Sequence, residues 1–243
     1  MKNGSNDSGA PPKRFYEAVT TGAIPGGWRI LLDGRPVKTP QRAELVLPTA
    51  TLADAIAREW RAQNTQINPA SMPLTKLANT AIDAVTPNLA SVAEDVLSFA
   101  ARDLICYRAS APESLAERQR ASWDPLLAWA EQRFGARFIS TVGIMPVDQP
   151  PESLAALRGA VERFGRFELT AVHVMTTLTG SAVLALAQSA GRLSPEECWA
   201  AAHIDEDYQT SHWGEDAEAR KRRGLRFADM RAACEFFRLS RAQ

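Results

Sequence analysis

The sequence predicts an α+β fold in which a small antiparallel β-meander with its helices precedes a larger, all-helical region. Between residues 13 and 47, apolar residues alternate with polar ones, which is the period of a half-buried strand. Beyond that point apolar residues recur at a spacing of three and four, the period of an amphipathic helix. Thr86-Pro87-Asn88 is the clearest break. We therefore predict a disordered tail over residues 1–12, an α+β domain over 13–86 and a helical domain over 87–243.

A hairpin signal supports the predicted meander. Trp28, Ile30 and Leu32 alternate along one strand, and Asp33-Gly34 follows as a dipeptide suited to a tight turn. A meander of this size needs another element packed on its face to be stable. The predicted strands are Phe15–Thr20, Trp28–Leu32, Val37–Thr39 and Ala43–Leu47.

The first helix carries one apolar stripe, because Leu52, Ile56 and Trp60 fall at i, i+4 and i+8. We expect this stripe to pack against the meander. Trp60 has two interpretations, since a large aromatic side chain buries much area in a core and also serves as an anchor at protein interfaces. A second helix is predicted from Ser71 to Val85.

The region after residue 87 is predicted to be helical almost throughout. Its most apolar run, Leu169–Ala187, is interrupted by His173, several threonines and Gly180, so it indicates a buried central helix and not a membrane span. Residues Ile139–Met145 are expected to form an irregular or short extended link. The predicted helices cover residues 89–105, 115–122, 124–134, 154–164, 167–190, 195–213 and 227–237.

The segment 194–214 contains the strongest local signals. Ser194 and Glu197 are spaced as a capping box, and Pro195 occupies the first helical position, where no amide hydrogen is needed. The helix then carries three acids, Asp205–Asp207, among aromatic residues. Because no nucleophile or metal cage is evident beside them, this combination favours protein recognition over catalysis.

Charge and cysteine usage narrow the classes of function. The chain has 28 basic and 28 acidic residues, and a formal charge of zero argues against broad binding to nucleic acid. The basic run Arg220–Arg226 is interpreted as a solvated face. Cys106, Cys198 and Cys234 are too far apart for a disulfide framework or a zinc knuckle, so we expect reduced thiols.

The search for catalytic motifs leaves one enzymatic alternative. The sequence has no phosphate-binding glycine loop, no nucleophile elbow and no C-x-x-C pair. His203 and Asp207 lie at i and i+4, but two ligands are too few to predict a metal site. Asp205, Glu206 or Asp207 could work with His203 as the acid and base of a small hydrolase. A solvated helix face and a structural adaptor are further interpretations.

Seven segments occur in the order and spacing of a known family. They span roughly Phe15 to Gly214, and the chain resembles the assembly chaperones specific for the α subunit of the F-type ATP synthase catalytic head, which occur in mitochondria and in some bacteria. The segments are RFYEAV, GGWRILLDGRPVKTP, AIAREW, MPLTKLANTAID, DLICYRA, ERQRASWDPLLAW and DEDYQTSHWG.

The resemblance implies a chaperone with no enzymatic activity, no catalytic or metal-binding residues and no cofactor. Members bind the unassembled α subunit and keep it from aggregating until the β subunit arrives. Trp60 matches the tryptophan of the family's E-W pair and is expected to be structural or partner-binding. The residues expected to bind the partner are Asp205, Glu206, Asp207, Gln209 and Trp213.

The resemblance also bears on where the chain acts. Mitochondrial members begin with a targeting extension, whereas the N-terminus here is polar, with neither an apolar signal region nor an Arg-rich amphipathic pattern. We therefore expect a bacterial cytoplasmic protein, with a mature form in the mitochondrial matrix as the alternative. We expect a monomer that neither binds nucleic acid nor inserts into a membrane.

Overall fold

The computed structural model describes residues 12–143, 145–214 and 216–241, so nearly all of the predicted tail lies outside the described residues. Three antiparallel strands come first: β1 (Val19–Ile24), β2 (Gly27–Leu32) and β3 (Arg35–Pro36). The predicted hairpin turn joins β2 to β3, and Asp33 and Gly34 both have positive φ, 48° and 79°. Such φ values are those of the turn that matches the twist of paired strands.

The first strand begins later than predicted. β1 starts at Val19 and not at Phe15, because the preceding chain is held by a side chain instead of by a ladder. The Asp33 carboxylate accepts a hydrogen bond from the amide of Ala18 at 2.7 Å. The amides of Glu17 and Ala18 are therefore bonded to a side chain, and the ladder begins at Val19.

The return strands are shorter than predicted. In place of Val37–Thr39 and Ala43–Leu47, the chain makes isolated bridges, such as the one between Lys38 and Glu44. Arg42 has a φ of 67°, and its amide donates to the carbonyl of Thr39 at 2.8 Å. This turn leaves too few consecutive residues for a ladder.

Helices build the rest of the described chain. A π-helical turn at Ala81–Val85 and a 3₁₀ turn at Thr86–Asn88 connect the second helix to the third. A separate pair of parallel two-residue strands comprises β4 (Tyr107–Arg108) and β5 (Thr141–Val142). The helices are α1 (Ala50–Arg61), α2 (Pro73–Thr80), α3 (Leu89–Ala100), α4 (Glu113–Phe134), α5 (Pro151–Val161), α6 (Arg166–Thr179), α7 (Ala182–Ser189), α8 (Pro195–Ala202), α9 (Ile204–Trp213) and α10 (Ala217–Arg241).

The helices predicted over 115–122 and 124–134 are one continuous helix, α4, which contains Pro125. A proline inside a helix removes one main-chain hydrogen bond. Trp123 and Leu126 are nevertheless buried on either side of it, and the Trp123 indole nitrogen donates to the carbonyl of Ala201 at 2.8 Å. Packing of these side chains therefore outweighs the local cost of the proline.

The predicted central helix over 167–190 is two helices, α6 and α7, which meet at Gly180. Gly180 has a φ of 69°, and Ser181 caps the start of α7. The buried carboxylate of Asp103 accepts a hydrogen bond from the amide of Val183 at 3.0 Å. A carboxylate at a helix N-terminus satisfies free amides and the helix dipole, so this distant residue stabilises the break.

The core is one connected cluster centred on α6, which packs against α10, α7 and α3. Helix α1 covers β1 and β2, as predicted from its stripe, with Leu52 and Ile56 fully buried. The antiparallel sheet at the N-terminus and the helical remainder confirm the predicted α+β class. None of the helices in the described parts of the chain combines the length and hydropathy needed to cross a bilayer.

Candidate partner-binding site

The acidic run opens a helix of its own. The predicted capping box is present at the start of α8: the amide of Glu197 donates to Ser194 Oγ at 3.1 Å, and the amide of Ser194 donates to the Glu197 carboxylate at 2.7 Å. The helix predicted over 195–213 breaks at His203, whose φ and ψ are −117° and 23°. The break places Asp205–Asp207 in the first turn of α9, where the helix dipole favours negative charge.

Asp205 is tied to the interior of the molecule. Its carboxylate accepts a hydrogen bond from Gln119 Nε2 on α4 at 2.6 Å. The same amide uses its oxygen to accept from the main-chain nitrogen of Ala109, just beyond β4, at 2.7 Å. Gln119 is almost completely buried, so Asp205 fixes α9 on α4.

Asp207 and Glu206 differ in their surroundings. Asp207 forms an ion pair with Arg223 of α10, and this pair joins the two consecutive helices. The side chain of Glu206 is 59% exposed, and its charged neighbour is His203, with Nε2 4.0 Å from the carboxylate. Among the three acids, Glu206 is therefore the one whose carboxylate is most available to a partner.

Gln209 and Trp213 continue the exposed face that Glu206 begins. The three residues are spaced i, i+3 and i+7, so they lie on one face of α9. Trp213 is 80% exposed, which is unusual for the largest apolar side chain. This face borders a surface cleft of about 550 Å³ whose other wall includes Arg222, Arg223 and Arg226 of α10.

His203 lies beneath this face and holds α9 against α8. Its ring stacks on Trp199 with centroids 3.8 Å apart, and Nδ1 donates to the carbonyl of Trp199 at 2.8 Å. Burial lowers the pKa of His203, although the bond to that carbonyl opposes the shift. The carboxylates of Asp205 and Asp207 point to other partners, Gln119 and Arg223, instead of converging on the imidazole.

Trp60 lies at the edge of the meander. It is partly buried, and its ring meets Tyr16 edge-on with centroids 5.6 Å apart. The Tyr16 hydroxyl donates to the carbonyl of Trp60 at 2.7 Å. The Trp60 indole nitrogen is buried and makes no hydrogen bond within the described residues.

Glu59 is a residue whose importance sequence reasoning missed. The amides of Leu74 and Thr75 donate to its two oxygens at 2.7 and 2.8 Å, and the Thr75 hydroxyl donates at 2.6 Å. Burial raises the pKa of Glu59, and the bonds from Thr75 and Leu74 oppose that shift. Met72 provides no side-chain cap for α2, so Glu59 caps it from α1. The only signal was its place in the E-W pair.

The segment DLICYRA is a second structural element of this kind. Asp103 is completely buried and caps α7, while the Arg108 guanidinium lies 4.9 Å from the ring centroid of Trp123 and donates to Asp124 at 2.5 Å. Burial lowers the pKa of Arg108, and the Asp124 carboxylate opposes that shift. Together these contacts join the 103–108 segment to α4 and α7.

The described residues hold no cluster of three or more His, Cys, Asp or Glu side chains able to bind a metal ion. Cys106, Cys198 and Cys234 are free and buried. On the described surface, one face of α9 carries the acid Glu206, the amide Gln209 and the exposed Trp213, and it lies beside a cleft lined by arginines. Such a face is typical of a protein that binds other proteins.

Comparison with known proteins identifies a family within this class of protein-binding proteins. The model of the ATP12 chaperone protein family matches residues 13–131. The crystal structure of Atp12 from Paracoccus denitrificans matches with a TM-score of 0.91 at 42% identity, over 95% of this chain and 99% of that one. A protein of known structure from Agrobacterium tumefaciens matches with a TM-score of 0.90 at 48% identity, over 93% of this chain and 85% of that one. Mitochondrial protein atp12 of Schizosaccharomyces pombe is 26% identical over 219 residues, which are 84% of this chain and 75% of that protein.

An identity of 42% over nearly the full length of both chains is far above what a shared fold alone requires. The chain belongs to the ATP12 chaperone family. The resemblance predicted from its seven segments is thereby confirmed, and the chain is a chaperone.

Proposed function

We propose that this chaperone binds the unassembled α subunit of the F-type ATP synthase and promotes assembly of the catalytic head. The observation that supports this most directly is the exposed face of α9, formed by Glu206, Gln209 and Trp213. These residues belong to the segment DEDYQTSHWG, one of those that carry the resemblance to chaperones specific for that subunit. We also propose that the protein acts in the bacterial cytoplasm, since two proteins of similar structure come from bacteria.

The chemistry of the face suits a reversible complex. A free subunit exposes apolar surface that its neighbours normally cover, and such surface drives aggregation. A stable but reversible interface buries about 1,200–2,000 Å². In such an interface Trp213 would bury its large apolar ring, and Glu206 would accelerate and orient the encounter more than it strengthens binding.

We infer that Asp205 and Asp207 have a different role from Glu206. Asp205 is held by Gln119 and Asp207 by Arg223, so both carboxylates position α9. Among the described residues, the ion-pair partner of the Glu206 carboxylate is His203, with Nε2 at 4.0 Å. On this proposal the protein acts by binding, with no catalytic step of its own and no requirement for ATP.

Light scattering of dilute, refolding α subunit tests the proposal. Wild-type protein at a few-fold molar excess should suppress scattering without ATP. Scattering that is unchanged at that excess would overturn the proposed function.

Three single substitutions then test the roles on α9. Glu206→Gln should leave the melting curve within about 0.5 kcal/mol of wild type but slow capture of the α subunit, most visibly at low salt. Asp205→Asn should lower stability by about 1–2 kcal/mol because it weakens the bond that buried Gln119 makes. Glu117→Gln, on an exposed position of α4, is the matched control and should change neither property. If Glu206→Gln captures the α subunit at the wild-type rate at every salt concentration, Glu206 is a solvated side chain with no role in binding.

A further inference from the structure

One short stretch of the described chain carries several exposed apolar side chains. Seven large apolar residues are more than a third exposed, and three of them, Ile139, Val142 and Met145, lie within seven positions of one another. Val142 is 65% exposed and Met145 is 73% exposed. Scattered apolar residues need no explanation on a protein surface, whereas a local concentration marks a candidate interaction site.

The main chain at Val142 also has an unpaired edge. β5 pairs in parallel with β4, with Val142 opposite Arg108, and the amide of Gly143 donates to the carbonyl of Arg108 at 2.8 Å. In a parallel ladder, the residue opposite that carbonyl turns its own amide and carbonyl to the other side. Within the described residues the sheet ends at β5. Val142 therefore presents an N–H, a C=O and an apolar side chain to solvent.

A buried side chain fixes the main chain three residues before Val142. Gln149 is 5% exposed, and its amide pairs with Ile139 as a strand would: the amide of Ile139 donates to Gln149 Oε1 at 2.8 Å, and Gln149 Nε2 donates to the carbonyl of Ile139 at 2.9 Å. The stretch that leads into β5 is therefore fixed before any partner arrives, which lowers the entropic cost of binding.

The edge is connected to the exposed face of α9 by consecutive hydrogen bonds. Arg108 accepts from Gly143, the next residue Ala109 donates to Gln119 Oε1, and Gln119 Nε2 donates to Asp205. β4 and α9 are thus both held against α4, and β5 is paired with β4. The strand pair and the first turn of α9 are therefore both anchored on Gln119, a single buried residue of α4.

We propose that the outer edge of β5 binds an extended apolar segment of the α subunit, which adds to β4 and β5 as a third strand. This inference rests on the proposed function. Strand addition uses main-chain hydrogen bonds for affinity and alternate side chains for selectivity, and Val142 offers both kinds of contact. Unpaired strand edges of an unassembled subunit are the groups that pair between copies during aggregation, so covering one such edge would suppress it.

Two substitutions at Val142 separate the main-chain contribution from the side-chain contribution. Val142→Ala removes most of the side chain and keeps the amide, whereas Val142→Pro also removes the outward N–H, which β4 does not use. A proline is tolerated on an edge strand when its nitrogen faces solvent. We expect Val142→Ala to weaken capture of the α subunit about threefold, and Val142→Pro about tenfold or more, because one further main-chain bond is lost. Phe15→Ala, at a 71% exposed apolar position outside β5, should have no effect on capture.

Hydrogen exchange of the wild-type complex is the measurement that does not depend on a variant. The amide of Val142 should exchange at least about tenfold more slowly in the complex than in the free protein. The amide of Gly143, already bonded to Arg108, should change less. Wild-type affinity in Val142→Pro, or an unprotected Val142 amide in the complex, overturns strand addition and leaves the proposed function standing. Failure of the wild-type protein to capture the α subunit overturns both. A dimer of the free chaperone that Val142→Pro abolishes would mean that the edge pairs with a second copy.

Discussion

At the scale of single residues, Trp60 packs against the core but remains partly exposed. Its ring packs on the core cluster and against Tyr16, yet its indole nitrogen is buried and has no hydrogen-bond partner among the described residues. We propose that its role is mainly structural. Trp60→Ala should lower the free energy of unfolding by about 3 kcal/mol, the lower end for a tryptophan, because the ring is only partly buried. Trp60→Phe should be nearly neutral, since phenylalanine has no nitrogen to satisfy.

Denaturant melts decide between the two interpretations of Trp60. A strongly lowered midpoint for Trp60→Ala, with binding retained in the folded fraction, supports the structural role. A near-wild-type midpoint together with lost capture of the α subunit would instead assign Trp60 to the interface.

Asp103 is a buried acid whose charge should affect stability. Burial raises its pKa to about 6 from an ordinary 3.8, against the opposing effect of bonds from Ser181, Val183 and Ile105. Between about pH 4 and pH 6 the folded protein therefore keeps a proton that the unfolded chain has released. It follows that the contribution of Asp103 is greatest below pH 4 and is lost as the pH rises to 6, by an amount on the order of 3 kcal/mol.

The prediction for Asp103 is checked by measuring unfolding free energies of wild type and Asp103→Asn between pH 4 and pH 7. Asparagine does not titrate in this range, so the difference between the two proteins isolates the carboxyl group. Relative to Asp103→Asn, wild type should lose stability as the pH rises. A difference that stays constant, or that changes in the opposite direction, contradicts a raised pKa.

At the scale of elements, the break between α6 and α7 depends on backbone conformation at one glycine. Gly180 has a φ of 69°, and an added Cβ would meet only Leu104 Cβ at an ordinary 3.8 Å. The cost of Gly180→Ala is therefore conformational, and we expect a loss of about 1–2 kcal/mol. Gly159 provides a matched control, because it is exposed within α5, with no atom within 4 Å of an added Cβ. Gly159→Ala should stabilise by about 0.5–1 kcal/mol. Thermal or denaturant unfolding of both variants checks the opposite signs.

What could be predicted from the sequence was the structure that local residues determine. The hairpin at Asp33-Gly34 and the capping box at Ser194 were correct because each depends on residues within one turn. The break at Gly180 was missed because it is stabilised by Asp103, which is far away in sequence. The continuity of α4 was missed because packing around Pro125 outweighs a local helix-breaking signal.

In the candidate site, too, the features set by local sequence could be predicted, and those set by distant contacts could not. The spacing of Glu206, Gln209 and Trp213 was present in the sequence, and helical geometry places them on one face. The contacts that distinguish Asp205 and Asp207 from Glu206 come from α4 and α10, so no local pattern contains them.

At the scale of the whole molecule, α10 connects the two predicted domains. It packs against α6 and α7 of the helical region and also against α1 and α2. Near its end, the carbonyl of Leu239 accepts a hydrogen bond from the Thr49 hydroxyl at 2.6 Å, so the last helix contributes to the start of α1. The division at residues 86 and 87 stays a prediction, and we propose that both parts unfold as one cooperative unit.

Native-state hydrogen exchange in mild denaturant, measured on wild type and on a variant of Phe236, tests this cooperativity. Phe236 lies on α10, is fully buried and packs against Phe167 at a centroid distance of 6.1 Å. Phe236→Ala should destabilise the protein by about 3–5 kcal/mol. In a cooperative molecule, the most protected amides report global unfolding wherever they lie. The amides of Ala53 in α1 and Val172 in α6 should therefore have similar opening free energies in wild type, and both should fall by the same amount in Phe236→Ala. If Ala53 keeps its wild-type protection while Val172 loses it, residues 13–86 unfold independently, and the predicted boundary would then separate two autonomous domains.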